Sequence, residues 1–208
     1  LHEIIEACTM LDTITRLSID VCELLVKVNV VKKLMGLIGE LNRSLPVYTA
    51  IKLSLTIVYH IIVAKESLAH EIMQLPTTLE TIESLMLRLS PKIVSDNTQD
   101  PIIDILIAAS HVIRALCHYE EYTSAILQTK IPSYMKQKYT KLKLPESKSK
   151  TVQSTPIHKL SKVMKAVLIM LSRASKLEDS SNCNTTTNTL VDKKSRTTRK
   201  PLNSRTNA

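Results

Sequence analysis

Histidine and cysteine are the residue types with the most scope for chemistry in this 208-residue chain. His111 and His118 are seven residues apart, which puts them two turns apart on one face of a helix. A zinc site needs further ligands at short spacing, and the four cysteines provide no such pair. We therefore expect no metal and no cofactor, histidines that are solvated or face a groove, and cysteines that are reduced and buried.

The sequence offers little that could support catalysis. Gly36 and Gly39 form a G-x-x-G string inside a helical pattern, without the strand and loop that precede a phosphate-binding helix. We expect this pair to permit close helix packing. No G-x-S-x-G string is present, and the Asp and Glu residues are scattered like solvated charges. We predict that the chain is not an enzyme.

Two groups of basic residues carry the clearest binding signal. The first, the basic patch, surrounds Tyr134 and Tyr139 in a helical pattern, and the second lies near the C-terminus. Such groups attract polyanions by counterion release, so acidic tubulin tails, nucleic acid and an import receptor all remain open as partners. A solvated outer face with the tyrosines packed inward is the alternative for the first group. The two groups are Lys136, Lys138, Lys141 and Lys143, and then Lys193, Lys194, Arg196, Arg199 and Lys200.

The rest of the chain predicts helices that repeat. With only two glycines, tight hairpins and hence an all-β chain are disfavoured. Pro46, Pro101 and Pro156 are 55 residues apart, and each begins a long apolar helix pattern. A short and a medium helix follow the first two. The predicted helices are 2–17, 18–26, 30–41, 46–64, 66–74, 77–89, 101–118, 120–128, 131–142 and 156–174.

Stacked three-helix units are the architecture of armadillo and HEAT proteins. We therefore predict an all-α fold: an armadillo/HEAT-like α-solenoid of three-helix repeats with a disordered basic C-terminal tail. The repeat domain covers residues 1–176, and the polar, lysine-rich composition of residues 177–208 predicts the disordered tail. The last unit stops after its long helix. The units are approximately 1–41, 46–89, 101–142 and 156–176.

Polar residues at helical spacing on the long helices predict a partner surface. A stack of such helices forms a groove, which would run from neutral at the second helix to basic at the last. We expect an acidic protein segment to dock toward the basic end. The candidate partner-binding residues are Lys52, His111, Arg114, Lys159, Lys162 and Lys165.

Charge and hydropathy divide the chain. Residues 1–129 carry 10 basic and 15 acidic side chains, whereas residues 130–208 carry 18 and 4. Asp104, His111 and Arg114 interrupt the apolar run that starts at Pro101, so we expect no membrane-spanning helix and no membrane partner. The chain starts with Leu1 in the middle of a helical pattern, and we expect it to be a fragment of a longer protein.

Short strings in a fixed order resemble one known family. LDTITRLS (residues 11–18), NRSLP (residues 42–46) and YEEYTSA (residues 119–125) resemble strings in the C-terminal region of the abnormal spindle protein family, also called abnormal-spindle-like microcephaly-associated proteins. Residues 168–179 resemble that family's last apolar helix and the arm after it. The resemblance runs from Leu1 to about Asp179.

The resemblance implies a cytoskeletal protein that organises microtubule minus ends in mitosis. It implies spindle-pole proteins as partners, and microtubules and calmodulin through parent-chain regions that are absent here, because no IQ-type string is present. It also implies localisation in the cytoplasm and cytoskeleton, at the spindle pole and centrosome, with the nucleus in interphase left open. The expected asparagine ladder of peptide-binding armadillo proteins is missing.

Two functions remain. The first is a non-enzymatic scaffold and interaction module of a spindle-pole and centrosome protein. The second is a helical-repeat protein that binds nucleic acid with a basic arm. The resemblance favours the first, while basic charge alone favours neither.

Overall fold

Ten helices and no strand make up the described part of the chain. The computed structural model describes residues 1–40, 45–89, 101–142 and 155–188. The helices are α1 (His2–Leu17), α2 (Ile19–Lys27), α3 (Val30–Glu40), α4 (Leu45–Ala64), α5 (Glu66–Met73), α6 (Thr78–Leu89), α7 (Pro101–Leu116), α8 (Glu120–Leu127), α9 (Ile131–Lys141) and α10 (Pro156–Asn188). The all-α prediction is confirmed.

Nine of the ten helices begin and end within two residues of their predicted bounds. Capping explains part of this agreement. The Ser18 hydroxyl accepts a hydrogen bond from the Val21 backbone N–H at 3.3 Å, and the Thr155 hydroxyl accepts one from the His158 N–H, also at 3.3 Å. Each cap satisfies a backbone donor that has no partner inside the helix.

The tenth helix corrects the prediction. The long helix was expected to end at residue 174, with disorder from residue 177, but α10 continues to Asn188. Elongation adds one hydrogen bond for each residue fixed, and Lys176, Leu177 and Glu178 are good helix formers with no Gly or Pro after them until Pro201. Residues 177–188 are therefore helical. The rest of the predicted tail, residues 189–208, lies outside the described residues.

The long helices are neighbours in chain order. α1 packs on α4, α4 on α7, and α7 on α10, while the medium helices α3, α6 and α9 follow one another in the same way. α4 and α7 run parallel, because two contacts between them share one offset of 52 residues: Lys52 meets Asp104, and Tyr59 meets His111. The long-helix layer thus forms a row.

α4 and α7 carry the core. Eleven of the sixteen residues of α7 are buried, and α4 packs against α1, α2, α3, α5 and α7. The prediction that residues 46–64 must be covered on several sides is confirmed. Val47–Ala64 is also long and apolar enough to cross a membrane by length and composition alone, but 56% of that stretch is buried within the fold, as in the core helix of a soluble protein.

The glycine pair on α3 corrects a second prediction. A Cβ atom built on Gly36 or Gly39 would meet no atom within 4 Å, so neither residue mediates close packing. Open space surrounds both positions because they are exposed on α3. The cysteine prediction is confirmed for the three that the structure describes with side chains, since Cys8, Cys22 and Cys117 are buried and unpaired.

Candidate interaction surface on the long helices

Polar side chains from α1, α4 and α7 meet along the long-helix layer. We call this set the polar row, and each of its members belongs to a long helix. Contacts between neighbouring helices join them into one surface feature. The polar row consists of Asp12, Arg16, Lys52, Tyr59, His60, Asp104, His111 and Arg114.

Lys52, a predicted partner-binding residue, is paired within the fold. Its Nζ lies 2.7 Å from Oδ2 of Asp104 across the α4–α7 boundary. The two side chains are 47% and 43% exposed, so water screens the pair and its contribution to stability is about 0–1 kcal/mol. The pair neutralises Lys52 locally, and this part of the polar row is therefore not a basic site.

A second polar cluster joins α1 to α4. Asp12 accepts a hydrogen bond from Arg16 at 2.7 Å, and its other carboxylate oxygen lies 3.3 Å from Nδ1 of His60. Burial lowers the pKa of His60, the Asp12 carboxylate opposes this effect, and Arg16 adds to it. The short contact with Asp12 alone would favour a charged His60, but Arg16 already neutralises Asp12, so we conclude that burial prevails and His60 is neutral at pH 7.

His111 and Arg114 lie on α7 beside Tyr59. The rings of His111 and Tyr59 are 5.6 Å apart, and Nδ1 of His111 is buried without a hydrogen-bond partner among the described residues. Burial lowers the pKa of His111, and the Arg114 guanidinium lowers it further. Both residues are half-buried. Of this pair, Arg114 is therefore the charged group available to a partner.

The last long helix carries the largest unpaired positive charge near this layer. Lys159, Lys162 and Lys165 are exposed on α10 and make no ion pair with a described residue. No hydrogen bond in the described part of the chain joins them to His111 or Arg114. The structure thus places three predicted partner-binding lysines on one helix next to α7, and it leaves Lys52 in an internal pair.

The basic patch divides between α9 and undescribed residues. Lys136 and Lys141 are exposed, and Lys138 is half-buried. Burial lowers the pKa of Lys138, and the neighbouring Lys141 charge lowers it further. Tyr134 is buried and Tyr139 packs against the core, as the solvated-face alternative predicted. Lys143, Lys193, Lys194, Arg196, Arg199 and Lys200 lie outside the described residues.

A shallow pocket of about 250 Å³ lies at the carboxyl ends of α1 and α4. Its lining combines apolar and polar groups: Leu17, Ile19 and Val63 are exposed, and Arg16 and His60 extend the polar row into it. The pocket is large enough for one aliphatic side chain of a partner. Sequence reasoning missed it because the residues come from three helices.

A polar cluster between α5 and α8 was also missed. The Tyr122 hydroxyl lies against Nδ1 of His70, and Oε1 of Glu121 lies 3.0 Å from the same nitrogen. Burial is the main cause that raises the pKa of Tyr122, and the Glu121 carboxylate adds to it. His70 and Tyr122 are 52 residues apart, the same offset as between α4 and α7, which is the one sequence signal that could have paired them.

The described residues offer no assembly for covalent or metal chemistry. They contain no group of three His, Cys, Asp or Glu side chains that could hold a metal ion. Burial raises the pKa of Cys117 to about 12, so its thiol stays protonated and unreactive at neutral pH. The chemistry that this surface can perform is therefore recognition by charge, hydrogen bonds and apolar contact.

No protein-family model, no curated protein and no solved structure matches this chain.

Proposed function

We propose that this chain is a non-enzymatic interaction module with an armadillo/HEAT-like helical repeat, which binds acidic protein segments on its long helices. The observation that carries the proposal is the row of long helices ending in Lys159, Lys162 and Lys165, which are exposed and unpaired among the described residues. Repeat proteins use such continuous helix surfaces for protein partners. The unit of long, short and medium helix occurs three times and supports the repeat assignment.

The module fits a partner with two features. Exposed lysines and Arg114 favour acidic side chains toward α10, where no described carboxylate opposes them. The pocket at the other end of the layer fits an aliphatic anchor residue between Leu17 and Val63. An extended or helical segment with an apolar anchor and a run of acidic residues would satisfy both.

The resemblance to abnormal spindle proteins supports a cellular setting for this module. In that setting the chain is the C-terminal repeat of a protein that organises microtubule minus ends, and its partners are spindle-pole proteins. Microtubule and calmodulin binding would belong to other regions of the parent protein. The localisation proposed is the cytoskeleton at spindle poles and centrosomes, with the nucleus in interphase left open.

The test places the tagged full chain in dividing cells and measures its enrichment at metaphase spindle poles. The double variant Lys162→Glu, Lys165→Glu should lose most of that enrichment, whereas Lys32→Glu, an exposed lysine on α3, should not. Equal enrichment of all three proteins would show that the α10 lysines are not the binding surface. If the unchanged full chain did not reach the poles, the spindle assignment would fail.

Nucleic-acid binding is the second candidate, and one observation favours it. Residues 130–142 and 155–176 carry nine basic and no acidic side chains. Anisotropy of labelled single-stranded and duplex oligonucleotides separates the candidates. Affinity that is alike for any polyanion and falls steeply with salt indicates a generic cationic surface, whereas saturable binding of one nucleic acid in the presence of excess heparin would favour this second function.

A further inference from the structure

The two ends of the helix stack have different surfaces. At the first end, Met10, Ile14 and Leu17 lie on one face of α1 and are 69%, 40% and 79% exposed, while the equivalent faces of α4 and α7 are covered by a neighbouring long helix. Three large apolar side chains exposed at positions four and three apart form a stripe that another helix could cover. The α1 stripe is therefore an unpartnered packing face.

Charge is opposite at the two ends. Residues 1–27, which form α1 and α2, carry five acidic and two basic side chains. The far end, formed by α9 and residues 155–176 of α10, carries nine basic and no acidic side chains. Glu3 and Glu6 extend the α1 stripe toward its amino end, where Glu6 also lies 3.1 Å from the exposed His2 ring. Long-range attraction would thus bring unlike ends of two copies together.

The packing inside the molecule shows how such ends could fit. Successive long helices α4 and α7 are parallel, as their shared contact offset shows. If α10 of one copy packs on α1 of the next in the same sense, the amino-terminal halves of both helices adjoin. Glu3 and Glu6 then lie within about one turn of Lys159, Lys162 and Lys165. Ile14 and Leu17 lie beside Ile169, which is 42% exposed on α10.

From this complementarity we propose that the chain self-associates head to tail, with the α1 stripe of one copy seated on α10 of another. The contact joins two different patches, so it is heterologous and leaves a free α1 and a free α10 on every assembly. The assembly therefore grows with concentration and does not stop at a closed dimer. The inference rests on the packing and charges of the helix stack and does not depend on the spindle assignment.

Sedimentation velocity of the purified full chain over a wide concentration range tests the proposal. The first-end variant is Glu3→Lys, Glu6→Lys, and the far-end variant is Lys162→Glu, Lys165→Glu. Glu80→Lys, an exposed reversal on α6, is the matched control, and circular dichroism checks that every variant keeps its helix content. Runs at 0.1 M and 1 M salt compare screening lengths of about 10 Å and about 3 Å.

The proposal expects mass that rises beyond a dimer and a dissociation constant that increases at least about tenfold in either double variant or in 1 M salt. An equimolar mixture of the two double variants should restore association, because each then meets an end of opposite charge, while Glu80→Lys should match the unchanged chain. A monomer at every concentration would overturn the proposal. So would association that resists either charge reversal, or a closed dimer that only Ile14→Glu disrupts, which would indicate contact between two α1 stripes.

Discussion

Removing Leu55, which is fully buried on α4, should cost far more stability than removing an exposed apolar residue from the same helix. Leu55→Ala deletes three carbon atoms, which at about 0.8 kcal/mol each gives about 2.4 kcal/mol of lost transfer free energy. The cavity left behind adds a further term, so the free energy of unfolding should fall by about 3–4 kcal/mol.

Val63→Ala is the matched control, because Val63 is 52% exposed near the end of α4. Losing two half-exposed carbons costs about 0.8 kcal/mol, and the better helix propensity of alanine returns about 0.5 kcal/mol. We expect a net change within about 0.5 kcal/mol. The pair also separates the two interpretations of an apolar helix of this length, because only a helix packed inside the fold responds so unevenly.

Urea unfolding in detergent-free buffer, followed by circular dichroism at 222 nm, measures both changes. The reasoning would be refuted if Leu55→Ala and Val63→Ala shifted the unfolding free energy equally. It would also be refuted if the unchanged chain needed detergent to show a cooperative transition, because α4 would then be a membrane-facing helix and not the centre of a soluble core.

Three further predictions concern stability. Because burial lowers the pKa of His60, the unfolded state binds more protons; stability should therefore fall as pH drops below about 6.5, and His60→Gln, but not the exposed His118→Gln, should flatten that dependence in urea titrations between pH 7 and 5. Gly36→Ala should raise the unfolding free energy by about 0.5–1 kcal/mol, since the added methyl enters open space on a helix; a loss of stability would contradict that packing. A double-mutant cycle on Lys52→Ala and Asp104→Ala should give a coupling of about 0.2–1 kcal/mol that shrinks in 1 M salt, and zero coupling at low salt would refute the pairing.

Helix positions were predictable because local signals set them. Apolar periodicity, prolines in first turns and caps such as Thr155 all act within a few residues, and the structure agrees with them to within two residues for nine helices. α10 was the exception. Its predicted end relied on the loss of apolar residues after residue 174, whereas helix propensity alone carries it to Asn188.

Side-chain pairing was not predictable in the same way. The proline spacing of 55 residues exceeds the true offset of 52 between α4 and α7 by nearly one helical turn, so it does not identify Asp104 as the partner of Lys52. The same limit hid His70 and Tyr122, and the partnering of His60 with Asp12. Register between helices depends on how large side chains interdigitate, which composition and spacing do not record.

The side-by-side row of long helices is the central claim, and a distance across it is the most direct test. Nitroxide labels at Thr13→Cys on α1 and Ser172→Cys on α10, in a chain with Cys183→Ser and diluted with unlabelled protein, report that distance by double electron–electron resonance. Three helix-to-helix steps of 8–10 Å predict a separation of about 24–30 Å. A separation near 10 Å would place α1 against α10 in a closed bundle and would contradict the stacked repeat.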